Sequence, residues 1–259
     1  MFLKKTFMLL LCMLMIVPAA AKSKTKVIAH RGYWKCEGSA QNSLKALERA
    51  AEIKVYGSEF DVHMTADGVL VVNHDNDING VVIQKNNYSA IKDMKLSNGE
   101  TIPTLEQYLQ KAKEKGMKKV KLIFEIKNHA SPEIDREVAR KCMDMVKEYK
   151  LQKRTEYISF SIEVCKELVR QDSKAKVYPL DGKWTPEQLK EMGMAGMDYN
   201  YGVIAKNPTW VQECHDLGMK VNIWTVDKPE QMKQVYDWNA DFITTDLPEQ
   251  AQALLKEAK

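Results

Sequence analysis

The stretch GSEFDVHMTADGVLVVNHD, residues 57–75, decides how the rest of the chain is read. Gly57 to Asp61 has the length of a short strand, and Glu59 and Asp61 stand two apart in it, so both carboxylates share one face. Asp67-Gly68 is a turn signal, and Val69-Leu70-Val71-Val72 follows as the return strand of a hairpin that ends at Asn73-His74-Asp75. His63 is expected to alternate away from the acidic pair and to play a structural part, as are His129 and His215.

Outward from this hairpin, short β-branched runs alternate with amphipathic helical runs. Further strands are expected at Val27–His30, Val120–Glu125, Tyr157–Phe160, Ala175–Tyr178, Ala195–Tyr199, Lys220–Trp224 and Asp241–Thr244, which with Gly57–Asp61 makes eight. Helical spacing lies between them, for example Leu105, Tyr108, Leu109 and Ala112, or Ile134, Val138 and Cys142. Thr104-x-x-Gln107 is a capping box, and Ser131-Pro132, Thr185-Pro186 and Asn207-Pro208 each put a cap residue before a proline at the first helical position. Eight strands alternating with helices, without a linker or a compositional break, predict an α/β fold: a single (β/α)8 TIM barrel with a small hairpin and loop insertion after strand two. No G-x-G-x-x-G follows the first strand, which argues against a doubly wound dinucleotide fold. The insertion, residues 76–99, reads as a polar loop excursion at the barrel mouth, placed to cover a substrate.

The N-terminal segment has Lys4 and Lys5, an apolar run from Phe7 to Val17, and Ala19-Ala20-Ala21. That order predicts a signal peptide over residues 1–21 and a mature single domain over 22–259, exported and without a stable membrane anchor. The location would be the periplasm in a host with two membranes and the outside in any other. Cys12 follows Leu11, where a lipid-attachment site would want a small residue, so lipidation is not expected. Losing Lys4 and Lys5 lowers the formal charge from +4 to +2. A nearly neutral chain with interspersed charges leaves no nucleic-acid footprint. Of the remaining cysteines, Cys142, Cys165 and Cys214 fall on apolar helical stripes and read as small buried hydrophobes rather than disulfide partners.

Polar residues gather where the strands end. His30 and Arg31 close strand one, Glu59 and Asp61 lie on strand two, His74 and Asp75 close the hairpin, and Glu125 and Lys127 close strand three. In a barrel these ends share the catalytic face. Carboxylates from two neighbouring strands pointing into one mouth repel unless neutralised, and all-oxygen donors suit one divalent cation, Ca²⁺ or Mg²⁺, rather than zinc. Two histidines beside such a site, with Arg31 and Lys127 near, supply a proton acceptor, a proton donor and anion clamps for phosphoryl chemistry.

These residues carry a resemblance. His30-Arg31-Gly32, the block from Glu59 to Asp75, Ile102-Pro103-Thr104-Leu105, Phe124-Glu125-Ile126-Lys127, Trp224-Thr225-Val226 and Thr245-Asp246-Leu247-Pro248 resemble the signature of the glycerophosphodiester phosphodiesterase family, from about Lys26 to Gln250. The resemblance implies Glu59, Asp61 and Glu125 as metal ligands and His30 and His74 as the acid/base pair. It further implies that Arg31 and Lys127 contact the phosphate, and that Trp224 forms a pocket wall. The activity it implies is metal-dependent hydrolysis of a small glycerophosphodiester to glycerol 3-phosphate and an alcohol. Two other readings stay open: a phospholipase D-like enzyme that stops at a cyclic product of lyso-lipids, and a non-catalytic exported binding protein on the same barrel. The sequence departs from the family text at Gln41-Asn42-Ser43, where a glutamate usually precedes the asparagine, and at Asn76 to Val81, which leaves the head group open.

Overall fold

The computed structural model describes residues 25–257; the expected signal segment lies outside the described residues. Strand β1 (Lys26–Ala29) leads through a loop to helix α1 (Leu44–Glu52), and β2 (Gly57–Met64) turns back into β3 (Leu70–Val72). The insertion contains a two-stranded hairpin, β4 (Asp77–Ile78) and β5 (Val81–Val82), before α2 (Leu105–Lys113) and β6 (Lys121–Ile126). The chain then runs through α3 (Pro132–Glu148), β7 (Thr155–Ser159), α4 (Ile162–Gln171), β8 (Val177–Pro179), α5 (Pro186–Glu191) and β9 (Gly196–Asn200). It ends with α6 (Tyr201–Lys206), α7 (Trp210–Asp216), β10 (Lys220–Trp224), α8 (Pro229–Asp237), β11 (Phe242–Thr245) and α9 (Pro248–Glu257).

The eight parallel strands run β8-β7-β6-β2-β1-β11-β10-β9, so the last strand pairs with the first and the sheet curls into a barrel. At the seam between β8 and β9, Ala195 N–H donates to Val177 C=O at 2.9 Å, leaving the barrel nearly closed. The (β/α)8 expectation therefore holds.

Alternation along the strands sorts the core into two parts. Phe60, Val62, Leu122, Phe124 and Tyr157 face outward against α2, α3 and α4, with Cys142 and Cys165 fully buried among them. Ile28, Ile123, Ile158, Tyr178, Leu180 and Phe242 fill the barrel interior below the mouth. The four described cysteines, the half-buried Cys36 among them, are free.

The caps follow local chemistry with one exception. Thr104 and Thr185 form full capping boxes, and Ser131 Oγ accepts from Ile134 N–H. Asn207 does not open a helix; its side chain donates back to Val203 C=O at 3.0 Å and closes α6, while α7 begins only at Trp210. An Asn-Pro pair serves the end of one helix as well as the start of the next, and here the preceding helix claims the side chain.

The excursion over residues 76–99 is more ordered than a polar loop. Ile78, Ile83 and Ile91 are buried with Val71 and Ile102 as a small apolar cluster of their own. The apolar residues scattered through the segment form the underside of a packed flap.

Candidate active site

The loop after β1 builds one side of the mouth. Arg31 and Gly32 have left-handed backbones, with φ of 56° and 76°, and this sharp turn aims the Arg31 N–H at Glu59 Oε2, 2.6 Å away. A Cβ on Gly32 would sit 2.5 Å from Ala46 Cβ, so only glycine lets α1 pack this close. Asn42, also left-handed at φ 60°, faces β2: its Nδ2 donates to Asp61 Oδ2 at 2.8 Å and its Oδ1 accepts from Asp61 N–H at 3.1 Å.

On β2 and β6, Asp61 and Glu125 are direct register partners, which brings strand-end carboxylates from neighbouring strands together. Donor oxygens of Glu59, Asp61 and Glu125 all lie within 4.8 Å of one another, and all three residues are buried. Lys127 Nζ bridges two of them, at 2.6 Å from Asp61 Oδ1 and 2.8 Å from Glu125 Oε1. One cation cannot balance three carboxylates. Burial, reinforced by the neighbouring carboxylates, pushes Glu59 well up and Glu125 up to about 8. For Asp61 burial also pushes upward, but Lys127, His74 and Asn42 prevail and hold it at about 2. Lys127 is driven up, because its two carboxylates outweigh desolvation.

His30 Nδ1 pairs with Asp246 Oδ1 at 2.8 Å, and His74 Nδ1 with Asp75 Oδ1 at 2.7 Å. Each ring thus has one nitrogen tied to a carboxylate, which fixes its tautomer and leaves Nε2 for the cavity. The cavity is about 120 Å³ and is bounded by both histidines, Arg31, Glu59, Glu125 and Lys127 on one side and by Ile158, Phe160, Leu180 and Trp224 on the other. Trp224 stands edge-on to Phe160, with ring centroids 5.6 Å apart, and its Nε1 donates to Asp198 C=O at 2.9 Å.

The eight residues singled out in the sequence are therefore brought together. Other expectations need correcting. His63 does not alternate away from the acids: two residues on from Asp61, it lies on the same face, buried, with its ring against Gln84 and the His74 carbonyl. Burial lowers its pKa to about 4, and it acts as a neutral support below the insertion. None of residues 76–99 lines the cavity; the insertion reaches the site's margin through Gln84, which donates to Asn128 C=O at 2.8 Å. His129 and His215 have structural partners, the Lys127 carbonyl and Asp241.

Asp246, Asn42 and Phe160 were not singled out by role. Asp246 could have been found from barrel closure, since a polar residue after the last strand must lie beside the end of the first. Asn42 carries a weaker signal, being an asparagine just before the helix-capping serine.

The model of the glycerophosphoryl diester phosphodiesterase family matches residues 30–250. The chain belongs to that family. A glycerophosphodiester phosphodiesterase from Parabacteroides distasonis of known structure is 56% identical, with a TM-score of 0.90, over 92% of this chain and 99% of that one. A glycerophosphodiester phosphodiesterase from Caldanaerobacter subterraneus subsp. tengcongensis is 29% identical over 87% of this chain and 96% of its own length. At 20% identity, a phosphodiesterase from Oleispira antarctica, solved with the product sn-glycerol-3-phosphate, shares the fold with a TM-score of 0.74 over 89% of this chain and 96% of that one.

Proposed function

We propose that this member of the family is an enzyme that hydrolyses small glycerophosphodiesters to glycerol 3-phosphate and the head-group alcohol, with one divalent cation, Ca²⁺ or Mg²⁺, held by Glu59, Asp61 and Glu125. The observation that carries the reading is two histidines, each tied to a carboxylate, facing the same cavity as a buried acidic triad.

The triad fits a cation. Glu59 Oε1 is buried without a hydrogen-bond partner, and the donors are all oxygen, the preference of a hard ion. Bound there, the cation would neutralise the carboxylates and draw electron density from the substrate phosphate. The protein's own groups account for the remaining steps. Arg31 and Lys127 hold the phosphate oxygens, and Trp224 with Phe160 walls off water on the opposite side. Of the two histidines, one accepts the proton of the attacking hydroxyl, from the glycerol 2-position or from water, while the other protonates the departing alcohol; where the glycerol hydroxyl attacks, water then opens the cyclic phosphate with the two roles reversed. Single proton carriers of this kind contribute roughly 10²- to 10⁴-fold each.

The N-terminal pattern supports export, with a signal peptide over residues 1–21, a single mature domain over 22–259, and a location in the periplasm or, in a host with one membrane, outside the cell. No helix of the described residues is long and apolar enough to cross a membrane.

The test is a panel of glycerophosphocholine, glycerophosphoethanolamine, glycerophosphoglycerol and glycerophosphoinositol, read by product mass with chelation and metal add-back. Glycerol 3-phosphate that vanishes on chelation and returns with Ca²⁺ or Mg²⁺ is the expected result. Turnover of phosphomonoesters alone, or full activity after chelation, overturns the reading, and a cyclic phosphate as final product replaces hydrolysis by the cyclising reaction.

A further inference from the structure

Across the cavity from the acidic triad, β9, β10 and β11 form a polar floor that the reaction described above does not use. Asp198 on β9 lines the cavity, is only 2% exposed, and its Oδ1 has no hydrogen-bond partner. Its register partner on β10 is Asn222, 4% exposed, whose Oδ1 is likewise unpartnered while its Nδ2 donates to Thr244 Oγ1 at 2.8 Å. Thr244 on β11 also lines the cavity.

Packing alone does not call for a carboxylate here. The surrounding interior is Ile158, Tyr178, Leu180 and Phe242, which an apolar side chain at position 198 would extend. A buried acceptor left unsatisfied costs about 1–3 kcal/mol. No Lys or Arg bears on Asp198; burial raises it to about 7, with only Asn222 acting the other way.

The chemistry of the open positions narrows the ligand. Of the two, Asp198 is the one that lines the cavity, and as a carboxylate it accepts, so the group it meets there donates a hydrogen bond: a hydroxyl or an ammonium. Arg31 and Lys127 line the same cavity of about 120 Å³ and disfavour a second cation inside it. A hydroxyl meets the floor without adding charge. Among the lining residues Asp198 and Thr244 are 2% and 3% exposed and Phe160 is 41% exposed, so the floor lies at a buried end that a variable head group, reaching toward solvent, would not occupy.

We infer that Asp198, supported by Asn222, reads the terminal hydroxyl of the glycerol portion of the substrate and makes the enzyme selective for glycerol diesters over diesters that lack that hydroxyl. This rests on the phosphodiesterase reading above and assigns the floor of the same pocket.

The experiment compares glycerophosphoethanolamine with its propane-1,2-diol counterpart, which keeps the 2-hydroxyl and lacks the terminal one. The wild-type enzyme should prefer the glycerol diester by roughly 10- to 100-fold in kcat/KM, the range for losing a hydrogen bond to a buried charged or polar group. Asp198→Leu should bring that ratio to about 1–3 whatever the absolute rates, and Asp198→Asn, which keeps the shape and one acceptor, should lie between. An unchanged ratio in both variants overturns the assignment. So does a loss confined to ethanolamine and choline diesters when glycerophosphoglycerol is spared, which would make the floor an ammonium site.

Calorimetry with glycerol 3-phosphate against propane-1,2-diol 1-phosphate gives a second readout. If the wild type turns over neither diester, the activity reading fails, while tighter binding of glycerol 3-phosphate that Asp198→Leu abolishes still upholds the floor, and equal binding of both refutes it.

Discussion

Asp246→Asn separates orientation from charge at His30. In the native protein the Asp246 carboxylate accepts from His30 Nδ1 at 2.8 Å and Trp34 Nε1 at 3.1 Å, and pairs with Lys35 Nζ at 3.2 Å. Burial pulls its pKa upward, but these partners prevail and hold it at about 2, below the ordinary 3.8. A carboxyl depressed by folding stabilises the native state above its unfolded pKa, and that contribution is lost as pH falls through the folded value. The window is therefore from about pH 4 down to about pH 2. The shift corresponds to roughly 2 kcal/mol in full, and screening by solvent at a partly accessible carboxylate brings it to about 1–2 kcal/mol. Urea titrations should find Asp246→Asn less stable by that amount at pH 7, with the gap closing as pH approaches 2. The amide can donate to Nδ1 and hold the wrong tautomer, so kcat should fall roughly 10²- to 10⁴-fold even though the ring is not displaced. A stability deficit with unchanged kcat would refute the positioning of His30 by Asp246, and a deficit of equal size at pH 7 and pH 2 would refute its electrostatic origin.

Three further outcomes bear on the site. Gly32→Ala combines a left-handed φ of 76° with a Cβ 2.5 Å from Ala46 Cβ, and should lose roughly 2–5 kcal/mol in urea unfolding; a wild-type midpoint would show that the loop can shift. Glu59→Gln, Asp61→Asn and Glu125→Gln should each abolish turnover and weaken Ca²⁺ or Mg²⁺ binding in calorimetry, and intact binding in any one removes that carboxylate from the ligand set. His30→Ala and His74→Ala should keep nearly normal cation affinity while kcat drops roughly 10²- to 10⁴-fold, with the double variant falling by less than the product of the two. A histidine whose loss also releases the cation is a ligand.

The barrel was legible because its signal is repeated: eight short runs of strand length with helical spacing between them leave few alternatives. The triad was legible for a related reason, since the period-two spacing of Glu59 and Asp61 and the end of the next barrel strand fix positions without side-chain detail. What escaped depends on contacts between distant segments. Asp246 meets His30 only because the last strand pairs with the first, a separation of 216 positions. His63 was misplaced because the strand was expected to end at Asp61. It continues to Met64, and the same alternation that aligned the acids carries His63 onto their face. The flap's order was missed because its isoleucines are spaced for neither helix nor strand; they pack across turns.

Gln41 shows how a local departure acts through geometry rather than through proximity in sequence. A glutamine in place of the usual glutamate removes a charge near the mouth, and the natural expectation is an effect on the cation. In the structure Gln41 does not join the triad: its Oε1 accepts from Arg31 Nη1 at 2.7 Å. An amide oxygen orients a guanidinium without neutralising it, whereas a carboxylate would close an ion pair and compete with the substrate phosphate. Arg31 lines the cavity and its Nε is buried without a partner, so no carboxylate neutralises the guanidinium through that atom. The same residue holds Glu59 through its backbone N–H at 2.6 Å. On the proposed assignment of Arg31 to the substrate phosphate, the left-handed turn at Arg31 joins the carboxylate side of the site to the phosphate side, and the glutamine sets the balance of that junction toward capture of the anion.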